Sequence, residues 1–197
     1  MKLVIIKYNA GNVQSVSFAL ERLGVNFSIT DDAEEIRAAD KVLFPGVGEA
    51  STTMRFLQER KLDKLIPELK QPVLGICLGM QLMCRFSEEN NTPCLNIFHE
   101  DVKRFQPTSS QKVPHMGWNQ LALTESWLDP ALDQQFVYFV HSYYVPVNGN
   151  TSAVTDYVVP FSAAMHRDNF YAVQFHPEKS AAAGEIVLKS FLNLSQK

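Results

Sequence analysis

A chain of 197 residues is long enough to bury one core and short for two, so one domain over residues 1–197 is expected. With 46% hydrophobic residues, 20% charged residues and a net charge of −3, the composition is that of an ordinary globular protein without the basic excess that holds a phosphate backbone, and nucleic acid is not an expected partner. No run approaches the roughly 18 apolar residues of a membrane span. The start, Met1 to Lys7, is too short for a signal-peptide core, so no membrane partner and a cytoplasmic location are expected.

Leu3 to Ile6 is a short apolar run that reads as a buried strand entering the turn-forming Asn9-Ala10-Gly11-Asn12. Val13, Val16, Leu20 and Leu23 then fall at helical spacing, with Asn12 as N-cap and Gly24 as left-handed stop. Val25 to Thr30 alternates like a half-exposed strand, Asp31 to Asp40 reads as a short solvated helix or loop, and Lys41 to Phe44 as another buried strand. Glu49 to Lys70 carries helical patterning through Met54, Leu57, Leu62 and Leu65, and Val73 to Ile76 returns to a strand. This alternation predicts a parallel sheet covered by helices, with ligands bound where strands end. Beyond Cys94 the texture becomes strand-like at Val137 to Val140, Ala153-Val154 and Tyr171 to Phe175, which predicts added antiparallel strands before a last helix, Ala181 to Leu194.

The three cysteines, Cys77, Cys84 and Cys94, cannot all pair and form no Cys-x-x-Cys clip, so neither a disulfide framework nor a metal site is indicated, and no cofactor is expected. Gly75-Ile76-Cys77-Leu78-Gly79 fits the elbow in which a strand turns sharply into a helix and lifts a nucleophile out of the sheet. At the start of a helix predicted over Leu78 to Phe86, backbone N–H groups would favour the thiolate of Cys77. Free cysteine is also among the most buried residue types, and Cys84, on the apolar side of that helix, and Cys94, after a proline turn, are read as structural.

A nucleophile needs a base, and the base an orienting group; His176-Pro177-Glu178 supplies both at the end of a strand-like run. The order Cys, His, Glu differs from the serine, acid, histidine order of the α/β-hydrolases. Acyl chemistry also needs oxyanion donors, for which the backbone N–H groups of Leu78 and of Val47, in the Gly46-Val47-Gly48 loop, are candidates.

Pro45-Gly46-Val47-Gly48, the Gly-x-Cys-x-Gly-x-Gln string from Gly75 to Gln81, and His176-Pro177-Glu178 together resemble the class I glutamine amidotransferases, over nearly the whole chain. The resemblance implies an α/β fold with a central, mostly parallel sheet, helices on both faces and additional antiparallel strands in the second half. Within that family, Leu78 to Leu82, Ser87 to Glu89, Pro114-His115-Met116-Gly117-Trp118-Asn119, Tyr138 to Tyr143 and Phe175 to Ser180 are similar to the glutaminase subunits of imidazole glycerol phosphate synthases. The string from Pro114 to Asn119 is the most discriminating.

What the resemblance implies is attack of Cys77 on the glutamine side-chain amide, proton transfer by His176, and orientation of His176 by Glu178. Val47 and Leu78 would supply the oxyanion hole, and Gly46, Gly48, Gln81, Glu89, Ser142 and Tyr143 would surround glutamine. The implied partner is a (β/α)8-barrel cyclase subunit, forming a heterodimer that receives the ammonia. Asn12, Trp118, Tyr138 and Lys179 match positions facing it. One departure is Lys7-Tyr8-Asn9-Ala10-Gly11-Asn12, where many relatives have an Asp-Tyr-Gly-x-Gly-Asn pattern; it bears on the partner-facing loop. Alternatives are a sister amidotransferase feeding another synthase, a silent interaction subunit, and a cysteine peptidase or esterase.

Overall fold

The computed structural model describes residues 1–8, 13–124 and 127–194. Its first half alternates strand and helix: β1 (Leu3–Ile6), α1 (Val13–Arg22), β2 (Phe27–Thr30), α2 (Ala33–Arg37), β3 (Lys41–Phe44), α3 (Ala50–Glu59), α4 (Leu62–Glu68), β4 (Val73–Ile76) and α5 (Leu78–Met83). Gly24 takes φ +68° just beyond α1, the left-handed stop expected of it. Asn12, its expected N-cap, and the rest of Asn9 to Asn12 lie outside the described residues. The acidic stretch is a short helix because the Asp32 carboxylate accepts from the free N–H groups of Glu34 and Glu35. Glu49 caps α3 in the same way, through Ser51 and Thr52. The helical patterning from Glu49 to Lys70 is two helices, since Lys61 at φ 59° turns the chain between them. α5 is shorter than expected: Cys84 is extended at ψ 177°, and the helix stops at Met83.

The second half holds β5 (Phe86–Ser87), β6 (Thr92–Pro93), β7 (Asp101–Arg104), β8 (His115–Gln120), β9 (Ala122–Leu123), β10 (Phe136–His141), β11 (Tyr143–Tyr144), β12 (Thr151–Tyr157), β13 (Val159–Arg167), β14 (Phe170–Val173) and α6 (Ala181–Leu192). Among the described residues the main sheet has eight strands in the order β2-β1-β3-β4-β14-β13-β12-β9. The pairs from β2 across to β14 are parallel, and those from β14 to β9 antiparallel. A separate antiparallel ribbon, β8 with β10, and a small sheet, β11-β7-β5-β6, stand against it.

Successive side chains of a strand point to opposite faces, and the parallel strands have apolar residues at nearly every position. Val4, Ile6, Val42, Phe44 and Val73 therefore face one core, with Ile36 of α2, Met54 and Leu57 of α3, Leu65 of α4 and Leu82 of α5. Leu3, Ile5, Leu43, Leu74 and Ile76 face the other, with Val16 and Leu20 of α1 and Val187, Leu188 and Phe191 of α6. Each such buried aliphatic side chain stabilises the fold by about 1.5–3 kcal/mol. Among the described residues no helix is long and apolar enough to cross a membrane.

Two glycines let helices lie directly on backbone. A β-carbon on Gly79 of α5 would run into the Phe44 carbonyl at the end of β3, and one on Gly184 of α6 into the Pro177 carbonyl. Gly184→Ala is therefore expected to lower stability by about 1–3 kcal/mol through overpacking. Gly149→Ala, where an added carbon meets nothing within 4 Å, should change it by less than about 0.5 kcal/mol. Urea unfolding of the two variants beside the parent chain checks this; equal midpoints would contradict it.

Candidate active site

The register of β3, β4 and β14 brings three loops together at one sheet edge. Phe44 pairs with Gly75, and Ile76 with Val173, so the chain leaves all three parallel strands at nearly the same level. Residues beyond these C-terminal ends share the crevice where α/β sheets bind ligands. Cys77 follows β4, the Pro45 to Gly48 loop follows β3, and His176 follows β14.

Cys77 sits at φ 52°, ψ −107°, a conformation that costs a non-glycine residue about 1–3 kcal/mol. Its surroundings impose it: the Cys77 N–H donates to Val173 O at 2.8 Å, and its carbonyl accepts from Gln81 N at 3.2 Å. The other two thiols stand apart from the crevice chemistry. Burial pushes Cys84 up, and burial followed by the Glu89 charge pushes Cys94 up to about 12. Both are held protonated, in keeping with their structural reading.

His176 is wholly buried, and its Nδ1–H donates to Glu178 Oε1 at 2.7 Å, with the Glu178 side chain 1% exposed. The backbone between them is a short 3₁₀ turn, Pro177–Lys179. It is pinned at both ends: His176 N donates to Tyr138 O at 2.9 Å, and Ser180 Oγ donates to His176 O at 2.7 Å. Burial opposes charge on the ring, but the neighbouring Cys77 and Glu178 side chains outweigh it and raise the imidazole above its ordinary value.

A cavity of about 330 Å³ opens over Cys77, and Val47, Gly48, Leu78, Gln81, Glu89, His141, Ser142 and Tyr143 are among the residues lining it. Gly46 is buried beneath the loop and is not part of that wall. Glu89 Oε2 already accepts from Ala50 N, at 2.8 Å, and burial raises its carboxyl above the ordinary range. Gln81 donates its two amide hydrogens to Tyr143 O at 3.0 Å and Gln174 Oε1 at 2.9 Å, so what it offers a ligand is its carbonyl oxygen. The Ser142 carbonyl is likewise engaged, by Phe105 N at 3.0 Å.

The expected oxyanion pair is not assembled. Leu78 N–H donates to the Gly46 carbonyl at 3.3 Å. Among the described residues only Val113-Pro114 is cis, so the peptide joining Gly46 and Val47 is trans and its N–H points opposite to its carbonyl. Val47 N–H is therefore turned away while Leu78 N–H is occupied. Rotating this one peptide would reverse both. From below, the buried Tyr8 hydroxyl donates to the Pro45 carbonyl and anchors the loop.

Of the expected partner-facing residues, Trp118 is 53% exposed and stands opposite Tyr138 on the β8–β10 ribbon, with ring centroids 6.0 Å apart. Met116 and Phe136 are exposed on the same ribbon, and Lys179 is exposed beside Glu178. Asn12 lies outside the described residues. Three residues near the crevice, Gln174, His141 and His115, were given no role from sequence; the signal for Gln174 is a lone amide inside the apolar run Ala172-Val173-Gln174-Phe175. Among the described residues no group of three or more His, Cys, Asp or Glu is arranged to hold a metal ion.

A thiol on a strand-to-helix turn, backed by a buried imidazole and carboxylate just beyond the end of the adjoining strand, is an arrangement for acyl transfer from an amide or ester. The model of the class-I glutamine amidotransferases matches residues 4–193, and the chain belongs to that family. More particularly, it is 63% identical over 196 residues to imidazole glycerol phosphate synthase subunit HisH of Bacteroides fragilis strain YCH46, covering 98% of this chain and 100% of that one. It is 46% identical over 194 residues to the protein of the same name from Haemophilus influenzae strain Rd, covering 98% and 97%. The fold matches the solved structure of a glutamine amidotransferase from Thermotoga maritima with a TM-score of 0.60 at 15% identity, covering 98% and 83% of the two chains.

Next to the crevice, His141 Nδ1–H donates to Tyr143 O at 2.7 Å, and His141 Nε2 lies 3.1 Å from His115 Nδ1. Burial pushes His141 down to about 3 and His115 down to about 4, both from 6.5. With folded values below the unfolded ones, the unfolded chain binds more protons in this window, so stability is fully present above about pH 6.5 and falls as pH drops toward 4. Ring-proton NMR should find both imidazoles still neutral at about pH 5. Titration of either near 6.5 would contradict this.

Proposed function

We propose that this chain is the glutaminase subunit of imidazole glycerol phosphate synthase, folded as one domain over residues 1–197, with Cys77, His176 and Glu178 as its catalytic triad. The observation that carries the assignment is the buried His176–Glu178 pair, 2.7 Å from nitrogen to oxygen, close enough to Cys77 at the neighbouring strand end for the thiol to raise the imidazole. The raised imidazole holds a proton beside the Cys77 sulfur, whose thiolate form is the species that attacks.

The Cys77 sulfur adds to the side-chain amide carbon of glutamine. As the tetrahedral intermediate collapses, the carbon–nitrogen bond breaks, His176 gives its proton to the departing nitrogen, and ammonia leaves a thioester. His176, now neutral, takes a proton from water, the resulting hydroxide adds to the thioester, and glutamate leaves with the thiolate restored. Glu178 accepts from the ring Nδ1–H and keeps the ring oriented. Leu78 and Val47 stabilise both oxyanions when the peptide after Gly46 is rotated, so hydrolysis is slow while the unrotated form prevails. Within the cavity, the free carbonyl oxygen of Gln81 and the carboxylate of Glu89 suit the amino end of glutamine, with Gly48, Ser142 and Tyr143 around it.

The partner is a (β/α)8-barrel cyclase subunit, in a cytoplasmic heterodimer whose cyclase uses the ammonia for histidine biosynthesis. Met116, Trp118, Phe136 and Tyr138 supply an apolar docking strip of the kind that buries at an interface core, with Lys179 at its side. Glutamate release by the chain alone is expected to be slow and to rise at least tenfold with the cyclase and its nucleotide substrate, equivalent to about 1.4 kcal/mol or more of transition-state stabilisation. Cys77→Ala should abolish glutamine-dependent synthesis while ammonia-dependent synthesis by the complex survives. Survival of both would remove Cys77 as nucleophile, and no stimulation by the cyclase would point to another synthase.

A further inference from the structure

The hydrogen bonds around Cys77 extend well beyond the triad, and their direction can be worked out from the backbone. The Tyr143 carbonyl can only accept, and it takes hydrogens from His141 Nδ1 at 2.7 Å and Gln81 Nε2 at 3.0 Å. In the neutral ring His141 Nε2 is then the acceptor, facing the Nδ1–H of His115 at 3.1 Å. That leaves His115 Nε2 to accept from Asn119 Nδ2 at 3.4 Å, while the other hydrogen of Asn119 goes to Asp156 O at 2.9 Å. On the near side, the second hydrogen of Gln81 goes to Gln174 Oε1 at 2.9 Å. The Gln174 amide is thereby turned so that its Nε2 donates to Cys77 Sγ at 3.6 Å, and its side chain is wholly buried.

A sulfur in this crevice has limited help from the helix that follows it. α5 spans only Leu78–Met83, and its first N–H is taken by Gly46. The Val140 carbonyl, 4.0 Å from Sγ, suits a protonated thiol rather than a thiolate. We propose that Gln174 is a further catalytic residue, an N–H donor fixed on Cys77 Sγ by Gln81, and that His141 and His115 are positioning residues that act through the Tyr143 carbonyl. The amide donates to the sulfur when it is charged and again when the thioester breaks. This proposal rests on Cys77 being the nucleophile.

The test is the rate of Cys77 alkylation by iodoacetamide as a function of pH, with glutamine kinetics of the cyclase complex alongside. Gln174→Met keeps the volume and removes the donor; Gln174→Glu keeps the acceptor that Gln81 needs and also removes the donor. Both are expected to move the alkylation midpoint to higher pH and to lower kcat by about tenfold or more with KM within about twofold, the effect of losing one hydrogen bond to a charged group. His141→Phe, which keeps a ring in place, should move the midpoint the same way by less. The other titratable groups facing the sulfur or its cavity, His176 with Glu178 behind it, Tyr8, Glu89 and Tyr143, are left intact in all three variants.

Midpoints and kcat equal to the parent in both Gln174 variants would overturn the assignment, and an unmoved midpoint in His141→Phe would remove the positioning role. A measurement that leaves Gln174 in place guards against misfolded variants. In Cys77→Ala, the side-chain amide NMR signals of Gln174 and Gln81 should shift from their parent positions, and unshifted signals would overturn the proposal. If alkylated Cys77 still supports glutamine hydrolysis, the nucleophile assignment itself fails; if alkylation inactivates but the midpoint is unmoved, only the role of Gln174 fails.

Discussion

The whole site depends on how closely α5 lies on the end of β3. Gly79 rests against the Phe44 carbonyl with no room for a β-carbon. The helix must therefore begin almost on top of the strand next to its own, and Cys77, the single residue joining β4 to α5, is left with φ 52°. The strain is sustained because the cores on both faces of the sheet leave β4 and α5 nowhere to relax. Packing of backbone on backbone is thus converted into the aim of one buried sulfur at a cavity. The same device recurs on the base side, where Gly184 brings α6 onto Pro177 and stiffens the turn between His176 and Glu178.

Buried histidines on this edge of the fold end in opposite charge states, and the cause is local. His176 loses solvent but gains a thiol and a carboxylate, and its proton is held more tightly. His141 and His115 lose solvent and gain only a carbonyl, an amide and each other, and theirs is held less tightly. A charge is retained where a counter-charge compensates desolvation. The result is one cationic ring placed against the sulfur, with uncharged rings behind it that can order hydrogen bonds without repelling it.

The fold was legible in sequence where periodicity was long and unbroken. The first four strands stood out as short apolar runs, with Val25 to Thr30 alternating, and the helices between them because apolar residues recur at helical spacing and stops such as Gly24 punctuate them. The antiparallel half was harder: β13 (Val159–Arg167) contains Pro160, Ser162 and His166, and β7 (Asp101–Arg104) is mostly charged, so neither carries an apolar signature. The break in the long helix at Lys61 has no glycine or proline to mark it. At the site, Cys77, His176 and Glu178 lie in short local motifs, but their meeting is a property of β4 and β14 being neighbours, a pairing of residues nearly a hundred positions apart. The orientation of the peptide after Gly46 could not be read at all, because the same residues allow both directions and only the hydrogen bond to Leu78 distinguishes them.

That peptide also says something about time. Turning it breaks one long hydrogen bond, Leu78 N–H to Gly46 O at 3.3 Å, and disturbs no helix or strand. Motions of this size belong to loops and take about nanoseconds to microseconds. A typical enzyme turns over about ten times a second. The loop can reverse many times within each catalytic cycle, so the two forms stay in equilibrium throughout, and what a bound partner changes is the fraction of each cycle spent ready to react rather than the speed of becoming so.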